Sequence, residues 1–244
     1  MRGVIAVARR ELAAYYGSPL AYVFIVIFLV LAGALTFHIG NWLGRGRADL
    51  TVFFQWHPWL YLFLVPAVGM RLWAEERKSG TIEFLMTLPI TTVQAVLGKF
   101  IAAWLFIGSA LVLTFPMWLT VNFLGQPDNG VILAAYLGSW LTAGAMLGIS
   151  AAVSALTRNQ VTAFVLSAAV CFLFMMSGLE MVQGLLRGWA PPALVDVVAQ
   201  MSLLSNFEGI AQGVIDARQI VLFVSLIAAS LFINTALIEI KKGS

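Results

Sequence analysis

Long apolar runs alternate with short polar breaks along the 244 residues, and several runs are long enough to cross a hydrocarbon core of about 30 Å. The first element is not a span. Residues 2–16 place Val4, Ile5, Ala8, Leu12, Tyr15 and Tyr16 on one side of a helix, with Arg2, Arg9 and Arg10 off it. This pattern predicts an amphipathic helix lying along the membrane surface, basic residues toward anionic headgroups. Gly17-Ser18-Pro19 ends it,. A first span is expected over residues 20–39. A second is expected over 51–73, kinked or shortened at His57-Pro58 and Pro66,. Thr91-Thr92-Val93-Gln94 has the form of a capping box, so the third span should run unbroken to about Phe123,. A turn at 126–130 leads to a fourth span over 131–156. A polar turn, Thr157-Arg158-Asn159-Gln160, then precedes a fifth over 161–178,. Residues 179–219 are polar only in places. Pro191-Pro192 can open one short helix, and Ser205-Asn206-Phe207-Glu208 has the form of a capping box for another,. Asp216 can cap the last span, which ends near Glu239.

The longest charged interruption is residues 71–99. Glu75, Glu76, Arg77 and Lys78 cluster where the second span leaves the membrane, and Ser79-Gly80 breaks the helix,. Thr81 to Leu88 reads as one short helix stopped by Pro89,. Ile82, Leu85 and Met86 share one face, Phe84 and Leu88 a second, and Glu83 with Thr87 a third. A short helix with two apolar faces needs two partners. One can be the chain's own spans and the other a separate protein.

Composition narrows the class without changing the picture. Apolar residues are 61% of the chain and charged residues 10%, too few charges to cover the surface of a soluble domain. The excess of three positive charges says nothing of nucleic acid, because it reflects where charges sit relative to a bilayer. Six spans put both termini on one side. That side then carries ten of the 14 Lys and Arg residues, leaving Arg45, Arg47, Arg187 and Arg218 on the other. The bias predicts cytoplasmic termini and a cytoplasmic 71–99 segment.

Candidate chemistry is sparse. Gly98-Lys99 is followed by Phe100 without the upstream glycine of a P-loop, so the chain is not expected to bind nucleotide by that motif,. His38 and His57 lack metal-ligand spacing,. Ala163, Ser167 and Cys171 form a narrow face on the fifth span. It suits close packing, within one chain or against a second,. Glu180, where that span leaves the core, is either a pathway residue or a solvated interfacial carboxylate,.

Met70-Arg71-Leu72-Trp73-Ala74-Glu75-Glu76-Arg77-Lys78-Ser79-Gly80-Thr81, then Leu88-Pro89 and Leu97-Gly98-Lys99-Phe100, resemble the type-2 ABC transporter permeases. Within them the chain is most similar to permeases of gliding-motility systems. Ser18-Pro19-Leu20-Ala21-Tyr22, Phe207-Glu208-Gly209 and Gly213-Val214-Ile215-Asp216 extend the likeness over the whole chain. The resemblance implies an all-α integral membrane protein, one permease domain over 1–244 with six spans. Residues 1–17 would be an elbow helix, 71–99 a cytoplasmic coupling segment and 179–219 outer interfacial or re-entrant helices. It also implies a separate ATPase that binds ATP and Mg, no cofactor or bond chemistry in this chain, and location in the inner (plasma) membrane. Glu75, Glu76, Arg77, Thr81, Ile82, Glu83, Phe84, Leu85, Leu88 and Pro89 would contact the ATPase. Two permease chains, identical or not, would pair with the fifth span near the seam. Export is implied above import, and no substrate is named. Two other classes fit the pattern: a secondary transporter or channel needing no ATPase, and an anchor or scaffold of an ATP-driven envelope machine.

Overall fold

The computed structural model describes residues 2–80, 90–188 and 190–242. Among them there is helix and no strand. Helix α1 (Arg2–Tyr16) is followed by α2 (Pro19–Ala34), which ends in a π-helical turn, Leu35–Ile39. Proline at the first position of α2 suits a helix start, where its missing N–H is not needed,. A short 3-10 turn, Leu43–Arg45, leads to α3 (Thr51–Gln55), α4 (His57–Gly69) and α5 (Ala74–Ser79). Next come α6 (Thr92–Val112), α7 (Phe115–Leu124), α8 (Asn129–Leu156) and α9 (Gln160–Met176). Three short helices, α10 (Glu180–Arg187), α11 (Pro192–Gln200) and α12 (Leu203–Ala211), precede the long α13 (Ala217–Lys242).

Four stretches are long and apolar enough to cross a membrane: Pro19–Arg45, Thr92–Leu124, Asn129–Leu156 and Ala217–Ile240. A fifth results if α9 and α10, bent by 84°, count as one broken span. The expected second span is divided at Trp56 into α3 and α4, and α4 has only 13 residues. Pro66 lies inside α4 without ending it.

Helix α8 is the axis of the bundle. It packs against α4, α6, α9, α12 and α13, and 72% of its apolar window is buried. Small residues permit this: Ala143, Ala145, Ser150, Ala151 and Ser154 are all at most 1% exposed. Such residues let helix backbones approach closely where lipid supplies no hydrophobic drive. Midway up, His57 Nδ1 and the Tyr61 hydroxyl meet Ser139 Oγ at 2.8 and 2.7 Å. Phe28, Phe53 and Phe54 ring that histidine. One buried hydroxyl thus joins α4 to α8 inside an aromatic shell.

Three local expectations change. The third span breaks at Leu113-Thr114, because Pro116 in the first turn of α7 cannot continue the α6 hydrogen-bond ladder,. Helix α12 is capped by Ser202, whose hydroxyl accepts from Ser205 N at 3.3 Å, so Ser205 lies inside the helix and not at its start. And α1 turns its apolar seam onto α6. Val7 packs over Gly98, where a Cβ would sit 2.6 Å from the Val7 Cβ, and Tyr15 stacks on Phe106 with centroids 5.0 Å apart. Ile5, on the other side, is 66% exposed. The capping box at Thr91 and Gln94 forms as read, and Asp216 accepts from Arg218 N at 3.0 Å at the start of α13.

Candidate functional site

The charged cluster after α4 is built into the end of the bundle. Helix α4 stops at Gly69, and after four intervening residues the chain restarts as α5 at Ala74. The polar groups freed by that break are met by one side chain from α8. Ser154 Oγ donates to the Met70 carbonyl at 2.8 Å and accepts from Trp73 N at 3.2 Å and Ala74 N at 3.0 Å. A hydroxyl has one donor and two acceptor sites, and here all are used. Arg77 on α5 donates to the Ala155 carbonyl in the last turn of α8, where helix carbonyls lack intrahelical partners. Burial, and then repulsion from Arg158, lowers the Arg77 pKa. Gly80 ends α5 in the left-handed region at φ 72°, a conformation glycine adopts without strain.

Lys99 is the centre of the junction. It lies two turns into α6 and is 3% exposed. A buried ammonium is costly unless paired, and two carboxylates pair it. Glu76 Oε1 on α5 is at 2.8 Å and Glu11 Oε1 on α1 at 3.4 Å. Their side chains are 18% and 17% exposed. The ammonium also lies 5.3 Å from the centroid of the Trp73 ring, a favourable cation–π contact. Glu11 further accepts from Arg10 at 2.6 Å. Burial raises the Glu11 pKa, but Lys99 and Arg10 outweigh it and hold the carboxyl below its ordinary value. Three helices far apart in sequence are therefore tied by one cation. Glu75 instead pairs with Arg71 at 3.0 Å along the exposed side, where such pairs contribute little.

Of the residues expected to contact an ATPase, Glu75, Glu76 and Arg77 lie in α5 at this junction. Thr81, Ile82, Glu83, Phe84, Leu85, Leu88 and Pro89 lie outside the described residues. Ala163, Ser167 and Cys171 are fully buried on the face of α9 that meets α8 and α4. The Cys171 thiol reaches the Met146 carbonyl at 3.7 Å. Their small size serves packing within the chain,. Glu180 is exposed in the first turn of α10. The sequence marked Lys99 only as part of Leu97–Phe100, and it gave no role to Glu11, Trp73 or Ser154. The available signal was a lone lysine on an otherwise apolar helix, with a lone glutamate on the seam of α1.

None of the curated proteins matches the chain. A family model described as "ABC-2 family transporter protein" matches residues 59–244. The match takes in α4 from Trp59 through α13, including the Ser154 contacts and the Lys99–Glu76 pair, and leaves α1 to α3, with Glu11, outside it. With more than half its length covered by the match, and with helices long and apolar enough to cross a membrane, the chain belongs to the ABC-2 family of transporter proteins.

Proposed function

We propose that this permease subunit is driven by a separate ATPase that docks on residues 71–99 and binds ATP and Mg. Two permease chains pair, both termini are cytoplasmic in the inner membrane, and α3 with α4 and α9 with α10 complete six crossings. Export fits this arrangement better than import by family resemblance, and the substrate class is open. The observation that carries the proposal is the anchoring of α5. The segment leading directly into residues 81–89 is fixed to α8 through Ser154 and Arg77, and to α1 and α6 through Lys99. A force applied there would reach three helices at once, as rigid-body switching of access requires. A solvated linker would have no need of such contacts.

The test is co-purification with a co-expressed ABC ATPase, together with permease-stimulated ATP hydrolysis. A buried aromatic anchor contributes roughly 2 kcal/mol or more, so Phe84→Ala should weaken recovery on the order of 30-fold. Glu83→Arg should alter salt dependence more than packing. Arg218→Ala, exposed at the far end of the bundle, serves as the control. Recovery and hydrolysis equal to that control in both variants would remove this segment as the coupling contact.

A further inference from the structure

A lateral groove of about 830 Å³ opens between α2, α6 and α8. Its volume lies in the range of small-molecule sites, roughly 300–1,000 Å³. Tyr16 and Tyr22 stand at one end, joined by a hydrogen bond of 3.0 Å from the Tyr22 hydroxyl to the Tyr16 carbonyl. Leu113 and Tyr136 stand at the other, and Trp140 lines the stretch between. The wall is almost wholly apolar and faces outward from the spans: Val26 is 56% and Val112 69% exposed.

We propose that this groove holds an acyl chain of an anionic phospholipid from the leaflet at the α1 end, with its phosphate against Arg9 and Arg10. Three observations converge. Arg9, Ala13 and Tyr16 follow one another at helical spacing on the exposed side of α1, so the arginine lies in line with the groove mouth. A second recess runs beside Arg9 and Arg10 along Ile5, Ala6 and Ala13, giving a headgroup an approach to both guanidinium groups. Arg9 is exposed, and Arg10 keeps Glu11 as a partner at 2.6 Å, so a phosphate would meet net positive charge. Length agrees as well. Helices α1 and α6 run side by side in the same direction, from Val7 at Gly98 to Tyr15 at Phe106. In that register Arg9 stands level with Phe100, so from Arg9 to the level of Leu113 is 13 residues, about 20 Å at helical rise, close to the depth of one leaflet with its headgroups, about 20–22 Å. The inference does not depend on the ATPase or on the proposed coupling segment.

The delipidated chain, in mild detergent, is titrated with phosphatidylglycerol or phosphatidylcholine of identical chains, and bound lipid is counted by native mass spectrometry. Phosphatidylglycerol should be retained at least tenfold better. Arg9→Gln and Arg10→Gln should each reduce that preference by about fivefold, while Arg218→Gln leaves it unchanged. Val26→Trp or Val112→Trp, at exposed positions that fill the groove, should lower retention of both lipids. Phosphatidylglycerol with brominated chains should quench a tryptophan emission component that Trp140→Phe removes. Inorganic phosphate at millimolar concentration should not compete, because the chain as well as the headgroup is held. Equal retention of the two lipids would overturn the proposal. So would an Arg218→Gln loss matching that of Arg9→Gln, or quenching unaffected by Trp140→Phe.

Discussion

Lys99 shows how much of one residue's role depends on distant parts of the chain. Its own neighbours, Leu97, Gly98 and Phe100, mark only the wall of a helix. It becomes a junction because α1 brings Glu11 and α5 brings Glu76 to the same ammonium. No periodicity within α6 could disclose that. Lys99→Met would take from Glu76 and Glu11 the buried ammonium they share, leaving Arg10 beside Glu11. Removing one partner of a buried ion pair costs about 3–5 kcal/mol, so thermal unfolding in detergent should shift down by several degrees. The triple variant Lys99→Met, Glu11→Gln, Glu76→Gln should recover most of the loss, as coupled groups are not additive. The pH dependence has a definite sign. Glu11 is held below its ordinary value in the fold, so its contribution is complete above the unfolded carboxylate range, about 4.3. It is lost as pH falls through the lower folded value. The thermal midpoint in detergent should therefore fall as the medium is acidified below that range, and fall less when Glu11→Gln is present,.

At the scale of elements, the apolar pattern located the helices well and their breaks less well. The Thr91 capping box, the Asp216 cap and the presence of short helices after residue 179 were legible because each is specified by adjacent residues. The division of the third span was legible too, in Pro116, but the run of apolar residues through it hid the stop. The second span divides at Trp56, where His57 and Pro58 restart the helix. The restart at α5 could not be read at all, since its polar groups are satisfied by Ser154, about 80 residues away. Ser154→Ala would leave two buried N–H groups and one carbonyl without that partner. Each such loss costs about 1–3 kcal/mol, so the variant should unfold at lower temperature. Hydrogen exchange should rise selectively at Trp73 and Ala74, and an unchanged exchange rate there would show that α5 is held by other contacts.

The whole molecule has two ends of different character. One gathers α1, α5, the start of α6 and the end of α8; the other gathers the start of α8 with α10, α11 and α12. The excess of Lys and Arg at the first end, visible in the sequence, predicts that this end faces the cytoplasm. In a Cys171→Ser background, cysteines at Asp128 and Arg187 should react with an impermeant thiol reagent added to intact cells, and one at Lys78 should react only after permeabilisation. Labelling of Lys78→Cys alone would invert the orientation. Between the two ends stands α8, 28 residues without a break and thus about 42 Å long. Its Ser154 and Ala155 grip α5, and Gly138, near its other terminus, lies against Ile210 of α12. An α-helix scarcely shortens under load, so this one acts as a pushrod. A shift of an ångström imposed on α5 should therefore be carried along α8 toward α12, about 24 Å away at helical rise from Ser154 to Gly138, while α8 slides past the helices packed along it.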